Sequence, residues 1–294
     1  MNQSNSFSFI TDEVSQDLPD IARFARDLSI SGIELRSFAG RAFKDLTDTD
    51  VTLVRSRAHA EGWRVVGCAS PVFKCALDDA REIERHRDYF KRSLEVTRTL
   101  DCDLLRVFSF LREPVPDGTR WARMVDHVRG LLELARGWGV RVAVENEHSC
   151  FVATRAELVR LGGDITDPAL GFVWDPCNLL YLAGAPETLT PDFTQFAPRI
   201  FHVHVKDAVR LRVGDESIAA AAPIGLGDVG WRRHFSEISR SGYRGWLSLE
   251  THWRVQALDE SALHLPAGFE FSRGGEEASR VCLHNARALW SIAR

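Results

Sequence analysis

The chain has 294 residues, of which 45% are hydrophobic and 27% are charged, a composition typical of a globular protein with a sizeable core. Its formal net charge of −4 lacks the basic excess that binding to nucleic acid or to an anionic membrane surface would need. No stretch approaches the roughly 18 consecutive apolar residues of a transmembrane helix, and the six cysteines form no Cys-x-x-Cys pair. We therefore expect a cytoplasmic protein with reduced thiols and with no nucleic-acid or membrane partner.

Short apolar segments that end in polar residues recur along the chain. The predicted strands are Phe7–Thr11, Gly32–Arg36, Arg64–Ala69, Leu104–Phe108, Arg141–Glu145, Gly171–Asp175, Phe201–Lys206 and Gly245–Glu250. Most of them are separated by roughly 25 to 45 residues, which leaves room for one helix and two loops. This alternation predicts βαβ units with a parallel sheet.

The segments between the strands have helical spacing. Ile21, Phe24 and Leu28 follow a helical period after the first strand, and the stretch 121–138 carries its apolar residues on one side. Eight such units in a chain of this length predict an α/β fold, a single (β/α)8 or TIM barrel. We find no linker or change of composition, so we expect one domain over residues 1–294. Long active-site loops are expected near 210–230 and 252–275, because both stretches follow strand ends.

Acidic and histidine side chains alternate with apolar ones in the later strands. Glu145, Asp175 and Glu250 end three of them, and His202 and His204 share one face of a fourth. Because the bulky apolar side chains of a barrel strand pack under the helices, the opposite face looks along the barrel axis. We therefore expect these ionisable groups inside the barrel, close to the C-terminal ends of the strands.

Several acids beside an imidazole would be costly to bury unless they were paired or bound to a metal ion. One divalent cation would remove the repulsion between three carboxylates. A ligand set of three oxygens and one nitrogen suits Mn²⁺ or Mg²⁺, with Co²⁺ as a further possibility. The structural alternatives are a helix N-cap for Asp175, a satisfied core histidine, and a buried salt-bridge network for the whole set.

Motifs in the same order along the chain resemble those of a known superfamily. They are Gly32-Ile33-Glu34-Leu35-Arg36, Val144-Glu145-Asn146, Trp174-Asp175-Pro176-Cys177-Asn178, His202-Val203-His204-Val205-Lys206-Asp207, Gly225-Leu226-Gly227-Asp228-Val229 and Ser248-Leu249-Glu250-Thr251-His252. Together they resemble the sugar phosphate isomerase/epimerase superfamily, whose members have a xylose isomerase-like TIM barrel.

The resemblance implies particular roles for particular residues. The metal ligands would be Glu145, Asp175, His204 and Glu250, with the H-x-K-D element selecting His204 over His202. Glu145 and Glu250 would also be catalytic, moving protons on opposite faces of the bound sugar. Arg210, six residues after His204, would contact substrate oxygens. Asn178 would also contact substrate, at a position where many members have a histidine.

Four other residues are candidates for substrate binding. They are His148, Lys206, Arg36 and Trp253. Their structural alternatives are a helix cap for His148, an ion pair with Asp207 or Glu250 for Lys206, an ion pair with Glu34 for Arg36, and loop packing for Trp253.

The resemblance implies a metal-dependent sugar isomerase or epimerase. Such an enzyme abstracts a proton next to a carbonyl and forms a metal-bound enediolate. The alternative is a lyase that carries out β-elimination on a keto-sugar, like an inosose dehydratase or a 3-oxo-glycoside deglycosidase. A sugar-binding protein without activity ranks below both. The expected partners are a small sugar or sugar-derived substrate and further copies in a homodimer or homotetramer, with a second, different subunit as an alternative.

Overall fold

Eight parallel strands close into a barrel in the computed structural model, which describes residues 7–113, 115–182, 197–213, 216–256 and 268–293. In chain order the strands are β1 (Phe7–Ile10), β2 (Gly32–Leu35), β3 (Ser37–Phe38), β4 (Arg41–Ala42), β5 (Arg64–Ala69), β6 (Leu104–Val107), β7 (Arg141–Glu145), β8 (Leu170–Trp174), β9 (Ile200–Val205), β10 (Ala208–Val213), β11 (Glu216–Ala221) and β12 (Leu247–Leu249). The α-helices are α1 (Leu18–Asp27), α2 (Asp48–Glu61), α3 (Ala80–Thr99), α4 (Gly118–Ala135), α5 (Arg155–Asp164), α6 (Trp231–Arg240), α7 (Phe269–Ser272) and α8 (Gly275–Ala293).

The order of strands around the barrel is β1, β2, β5, β6, β7, β8, β9 and β12, and β12 pairs back to β1. Each of the eight predicted strands overlaps one of these barrel strands. The predicted (β/α)8 barrel is therefore confirmed. Because all eight strands run in parallel, their C-terminal ends lie at one end of the barrel, where the polar residues of the sequence motifs are concentrated.

Local sequence signals account for where two of the helices begin. The Thr47 side chain accepts a hydrogen bond from Asp50 N, and the Asp50 side chain accepts one from Thr47 N, which forms a capping box at α2. Thr154 and Glu157 form the same arrangement at α5. The predicted apolar side of the stretch 121–138 is the buried side of α4. Of the helices in the described ranges, none combines the length and apolar character needed to cross a bilayer.

The hairpin of β10 and β11 occupies much of the stretch that the sequence predicts as a long loop near 210–230. Its antiparallel pairing extends from Ala208 opposite Ala221 to Val213 opposite Glu216. The alternation of apolar and basic residues in β10 has the period of a strand, and that strand pairs with its own neighbour instead of joining the barrel. Of the other predicted loop, 252–275, residues 257–267 lie outside the described residues, and α7 lies near its end.

Asp207 anchors the segment that follows this hairpin. Its carboxylate accepts hydrogen bonds from the backbone N–H groups of Ala208, Gly225, Gly227 and Val229, at 2.8 to 3.2 Å. A Cβ atom at Gly227 would clash with the Asp207 carboxylate and with the Ala208 carbonyl, so only glycine fits at this close approach. This contact fixes the Gly225–Val229 motif directly after barrel strand β9.

Candidate metal centre

The four predicted metal ligands come together at the C-terminal end of the barrel. Glu145 is the last residue of β7, Asp175 follows β8, His204 lies in β9, and Glu250 follows β12. All four are buried, and one ligand atom from each lies within 4.8 Å of those from the others. The alternation along separate strands therefore converges on one cluster of three carboxylates and one imidazole.

His204 joins this cluster through one ring nitrogen. Nδ1 lies 3.1 Å from Glu145 Oε1 and 3.5 Å from Glu250 Oε2, whereas Nε2 lies 3.1 Å from Glu34 Oε1. His202 lies two residues earlier on the same strand, and its Nε2 lies 2.9 Å from Glu34 Oε2. The two histidines thus differ in position. His204 lies nearer the C-terminal end of β9 and reaches Glu145 and Glu250, whereas His202 contacts Glu34.

Asp175 has two roles at once. Its Oδ1 atom accepts hydrogen bonds from Cys177 N at 2.8 Å and from Asn178 N at 3.3 Å, which caps the 3-10 turn Pro176–Tyr181. Its Oδ2 atom faces the cluster and lies 2.7 Å from Lys206 Nζ. Asp175 therefore caps the turn with one oxygen and faces the cluster with the other, and its role as a metal ligand stays a prediction.

Lys206 and Asn178 lie inside the cluster. Lys206 Nζ is 3.0 Å from Glu250 Oε2 and donates to Asn178 Oδ1 at 3.0 Å. Asn178 Nδ2 donates to the carbonyl of Asn146 at 2.9 Å and lies 3.4 Å from Glu145 Oε1. The ion pair of Lys206 with Glu250 is present, while the Asp207 carboxylate is taken up by backbone N–H groups.

Arg36 contacts Glu250 and not Glu34. Its Nη1 lies 2.7 Å from Glu250 Oε1, and its Nη2 lies 2.9 Å from Asp12 Oδ1 and 2.8 Å from Glu13 Oε1. The structural alternative that paired Arg36 with Glu34 is therefore wrong, and the contact of Arg36 with substrate stays a prediction. Glu34 lies within β2 and Arg36 directly follows this strand, so Glu34 reaches the histidines of β9 and Arg36 reaches the acids at the strand end.

The remaining substrate-binding candidates lie on segments that follow strand ends. The His148 ring stacks on Tyr181 with 5.3 Å between centroids and lies 3.0 Å from Glu147 Oε1. The Arg210 guanidinium donates to the carbonyls of the 3-10 turn after Asp175. Trp253 is half-buried and packs against the hydrophobic core. Their contact with substrate stays a prediction.

Sequence reasoning missed four charged residues around the cluster. They are Asp12, Glu13, Arg106 and Arg254. Arg106 Nε lies 3.0 Å from Glu145 Oε2, and Arg254 Nη1 lies 3.3 Å from Glu13 Oε2. For Arg106, the sequence did contain a signal. It is a charged residue within the apolar strand Leu104–Val107, and a buried charge requires a partner.

Burial and neighbouring charges shift the pKa values in the cluster in opposite directions. Burial raises the pKa of the Asp175 carboxyl to about 6, although Lys206 lies beside it. Burial alone would also raise the pKa of Glu250, but Lys206 and the nearby histidines hold it well below its usual range. Burial opposes protonation of His204, yet the carboxylates of Glu34 and Glu145 hold its pKa well above the usual value.

The residues of this network fit one divalent cation. The network holds six carboxylates. Those of Asp12, Glu13, Glu145, Asp175 and Glu250 pair with four cationic side chains, those of Arg36, Arg106, Lys206 and Arg254, whereas Glu34 lies against His202 and His204. An imidazole that binds a metal ion is neutral, so in the metal-bound state the six carboxylates and four cations of this part of the described chain leave two excess negative charges, which a divalent cation would balance. Three carboxylate oxygens and one imidazole nitrogen are donors that Mn²⁺, Mg²⁺, Co²⁺ and Zn²⁺ accept.

Curated and solved proteins resemble this chain over most of its length. The inosose dehydratase of Serratia proteamaculans (strain 568) is 23% identical over 264 residues, which cover 82% of this chain and 78% of that protein. A crystal structure of the IOLI protein with a binding zinc atom has a TM-score of 0.77 at 16% identity, covering 98% of this chain and 99% of that one. A structure of L-ribulose 3-epimerase has a TM-score of 0.75 at 15% identity, covering 99% and 96%.

The two structural likenesses show the fold, and the expected resemblance is confirmed at the level of the family. The family model described as "Xylose isomerase-like TIM barrel" matches residues 22–272, which include all four residues of the cluster. The chain therefore belongs to the xylose isomerase-like TIM barrel family.

Proposed function

We propose that the protein is a divalent-metal-dependent lyase that dehydrates a keto-polyol, that is, a sugar-derived ketone carrying several hydroxyl groups. The observation that carries the proposal is the 3.0 Å contact between Lys206 Nζ and Glu250 Oε2. It places a cationic proton donor beside a carboxylate base, and a dehydration needs both. The similarity to an inosose dehydratase over most of both chains supports the same class, because an inosose is a cyclic keto-polyol.

Glu145, Asp175, His204 and Glu250 would hold the cation. A divalent cation supplies Lewis acidity, which polarises a carbonyl and makes the neighbouring C–H bond more acidic. The absence of thiolates from the donor set favours Mn²⁺ or Mg²⁺, with Co²⁺ as a substitute.

The protein residues would then divide the proton transfers between them. The Glu250 carboxylate takes the proton from the carbon next to the carbonyl, and the C–H electron pair becomes the new C=C bond. The neighbouring C–O bond breaks, and Lys206 Nζ gives a proton to the departing hydroxyl, which leaves as water. The proton on Glu250 returns to Lys206 across their contact, so both groups are restored and no oxidant is needed.

Arg106 and Arg36 would keep the two glutamates in place during this step. Arg106 Nε lies 3.0 Å from Glu145 Oε2, and Arg36 Nη1 lies 2.7 Å from Glu250 Oε1. Each carboxylate thereby has one oxygen engaged by a guanidinium and the other directed at the cluster. Fixed geometry of this kind lowers the cost of reaching the reactive arrangement.

A sugar isomerase or epimerase is the second candidate. Glu145 and Glu250 both approach His204 Nδ1, so two carboxylates flank one position in the cluster. One could take a proton from a ketose and the other could return it, with every hydroxyl kept. The fold likeness to L-ribulose 3-epimerase is compatible with this reaction.

One experiment separates the two candidates. The Mn²⁺-loaded protein is incubated in D2O with an inosose and, separately, with L-ribulose, and the products are followed by NMR and mass spectrometry. Loss of water from the inosose supports the lyase, whereas deuterium incorporation or a changed configuration without loss of water supports the epimerase. Glu250→Gln and Glu145→Gln are expected to lose activity, and Glu133→Gln on the exposed face of α4 is the matched control.

If the protein binds the metal but catalyses neither reaction with either substrate, both candidates are overturned and a sugar-binding role remains. Homodimer or homotetramer formation stays a prediction, which sedimentation measurements on the full chain would check.

A further inference from the structure

We infer that Glu34 is a positioning residue, whose carboxylate holds the imidazole of His204 in the tautomer and orientation that present Nδ1 to the metal. The inference rests on the proposed metal site and extends it beyond the four ligands to a residue of β2. It assigns a task to a buried acid that neither takes part in the proton transfers nor belongs to the ligand cluster.

The imidazole of His204 lies between two sets of carboxylates. Nε2 faces Glu34 Oε1 at 3.1 Å, and Nδ1 faces Glu145 Oε1 at 3.1 Å. Glu34 is only 1% exposed and His204 is fully buried, so water does not compete for either ring nitrogen. The orientation of the ring is therefore set by these two contacts.

The contact with Glu34 determines which tautomer the neutral imidazole of His204 adopts. A neutral imidazole carries one N–H group and one nitrogen lone pair. A carboxylate only accepts hydrogen bonds, so Glu34 favours the form with the proton on Nε2. The lone pair then lies on Nδ1, on the side of the acidic cluster, where a metal ion would need it.

His202 keeps the Glu34 carboxylate in place. Its Nε2 lies 2.9 Å from Glu34 Oε2, which leaves Oε1 directed at His204. The two histidine rings also meet edge to face, with 5.5 Å between their centroids. Each oxygen of Glu34 thus has a separate imidazole partner, and rotation of the carboxylate would break both contacts.

A purely structural role for Glu34 and a positioning role lead to different expectations for the metal affinity of a Glu34 variant. If Glu34 only neutralised a protonated histidine, its removal would change the stability of the metal-free protein and leave the metal affinity unchanged. If it positions His204, its removal weakens metal binding even where the metal-free fold is as stable as before. Metal affinity is therefore the measurement that separates them.

The first test compares metal-free wild-type protein with Glu34→Gln. Titration with Mn²⁺ by calorimetry should show binding weaker by about 10- to 100-fold in the variant, the range found when partners of metal-ligating histidines are removed. The visible spectrum of the Co²⁺-loaded variant should also differ from that of the wild type, since the histidine donor has changed. Glu133→Gln on α4 should bind as the wild type does. Wild-type affinity in Glu34→Gln would overturn the inference.

The second test uses His202 and remains available if Glu34→Gln does not fold. His202→Leu should weaken Mn²⁺ binding relative to the wild type, and His202→Gln, which can still donate to Glu34, should keep most of the wild-type affinity. Where Glu34→Gln does fold, adding His202→Leu to it should weaken binding little further, because both changes act through one contact. An equal loss in His202→Leu and His202→Gln would contradict the positioning role.

The outcomes also distinguish this inference from the proposed reaction. A wild-type protein that binds no divalent cation removes the metal site and this inference with it. A wild-type protein that binds Mn²⁺ but leaves an inosose unchanged, while Glu34→Gln binds Mn²⁺ weakly, overturns the proposed dehydration and supports the role of Glu34.

Discussion

Arg36 Nη1 lies 2.7 Å from Glu250 Oε1, and the same guanidinium lies within 2.9 Å of Asp12 and Glu13. Three acids from two other segments of the chain therefore share one cation at the C-terminal end of the barrel. Arg36 has two effects. It balances the buried negative charge, and it fixes the orientation of the Glu250 carboxylate, which would act as the base.

Removal of this guanidinium should destabilise the fold. Arg36→Leu leaves the Asp12 and Glu13 carboxylates buried with fewer partners, and we expect a loss of about 3 to 5 kcal/mol in the free energy of unfolding, measured with urea. The matched control is Arg26→Leu, whose guanidinium is largely exposed and pairs with Glu61, and which should cost less than about 1 kcal/mol. Equal losses in the two variants would show that the Arg36 network adds no stability.

Lys206→Met should separate proton removal from loss of water. Glu250 can still take the proton, so deuterium exchange into the keto-polyol should persist, while elimination slows by about 100- to 10,000-fold because the departing hydroxyl lacks a proton donor. Exchange and elimination are measured on the same sample by NMR and mass spectrometry. Elimination at the wild-type rate would exclude Lys206 as the acid.

Asp175→Asn should separate the two roles of this residue. An asparagine oxygen can still accept from Cys177 N and Asn178 N, so the 3-10 turn stays capped and the metal-free protein unfolds near the wild-type temperature. The carboxylate charge is lost, so Mn²⁺ should no longer raise the unfolding temperature. In the wild type, Mn²⁺ at a hundred times its dissociation constant should add about 2.7 kcal/mol. A variant that Mn²⁺ stabilises as strongly as the wild type would contradict the ligand assignment.

His234 should make the fold less stable in acid. Burial lowers the pKa of this α6 histidine from 6.5 to about 3, so between these values the unfolded chain binds a proton that the folded chain does not. The free energy of unfolding should therefore fall as pH falls from 6.5 towards 3, by about 1.4 kcal/mol for each pH unit. The slope of stability against pH should flatten in His234→Leu and persist in His284→Gln, which changes an exposed histidine of α8.

The barrel and the centre of the site could be predicted from the sequence because both depend on local periodicity. Alternation along β9 placed His204 on the inner face, and acids at the ends of three other strands completed the set. Each of these signals lies within a few residues of the chain. Closure of the barrel then brings the strand ends together without further information.

The partners of the four cluster residues could not be predicted, because these contacts depend on how deep each side chain lies in the barrel and on the neighbouring strands. Glu34 and Arg36 are two residues apart on one face, yet they contact different elements at different heights in the barrel. Arg106 lies in an apolar strand, and only the neighbouring β7 explains its charge by supplying Glu145. The hairpin β10–β11 was missed because a strand that pairs locally has the same alternation as one that joins the barrel.

The hydrogen bonds that Asp207 accepts from four backbone N–H groups have a consequence for how this chain could diversify. Apart from the glycines that must remain at 225, where φ is +84°, and at 227, this anchor depends on main-chain atoms and not on the identity of the neighbouring side chains. Substitutions in the β10–β11 hairpin, including at Arg210, can therefore accumulate while the attachment of that segment to the barrel is kept. The sequence of the hairpin can thus change, in evolution or by engineering, separately from the buried cluster.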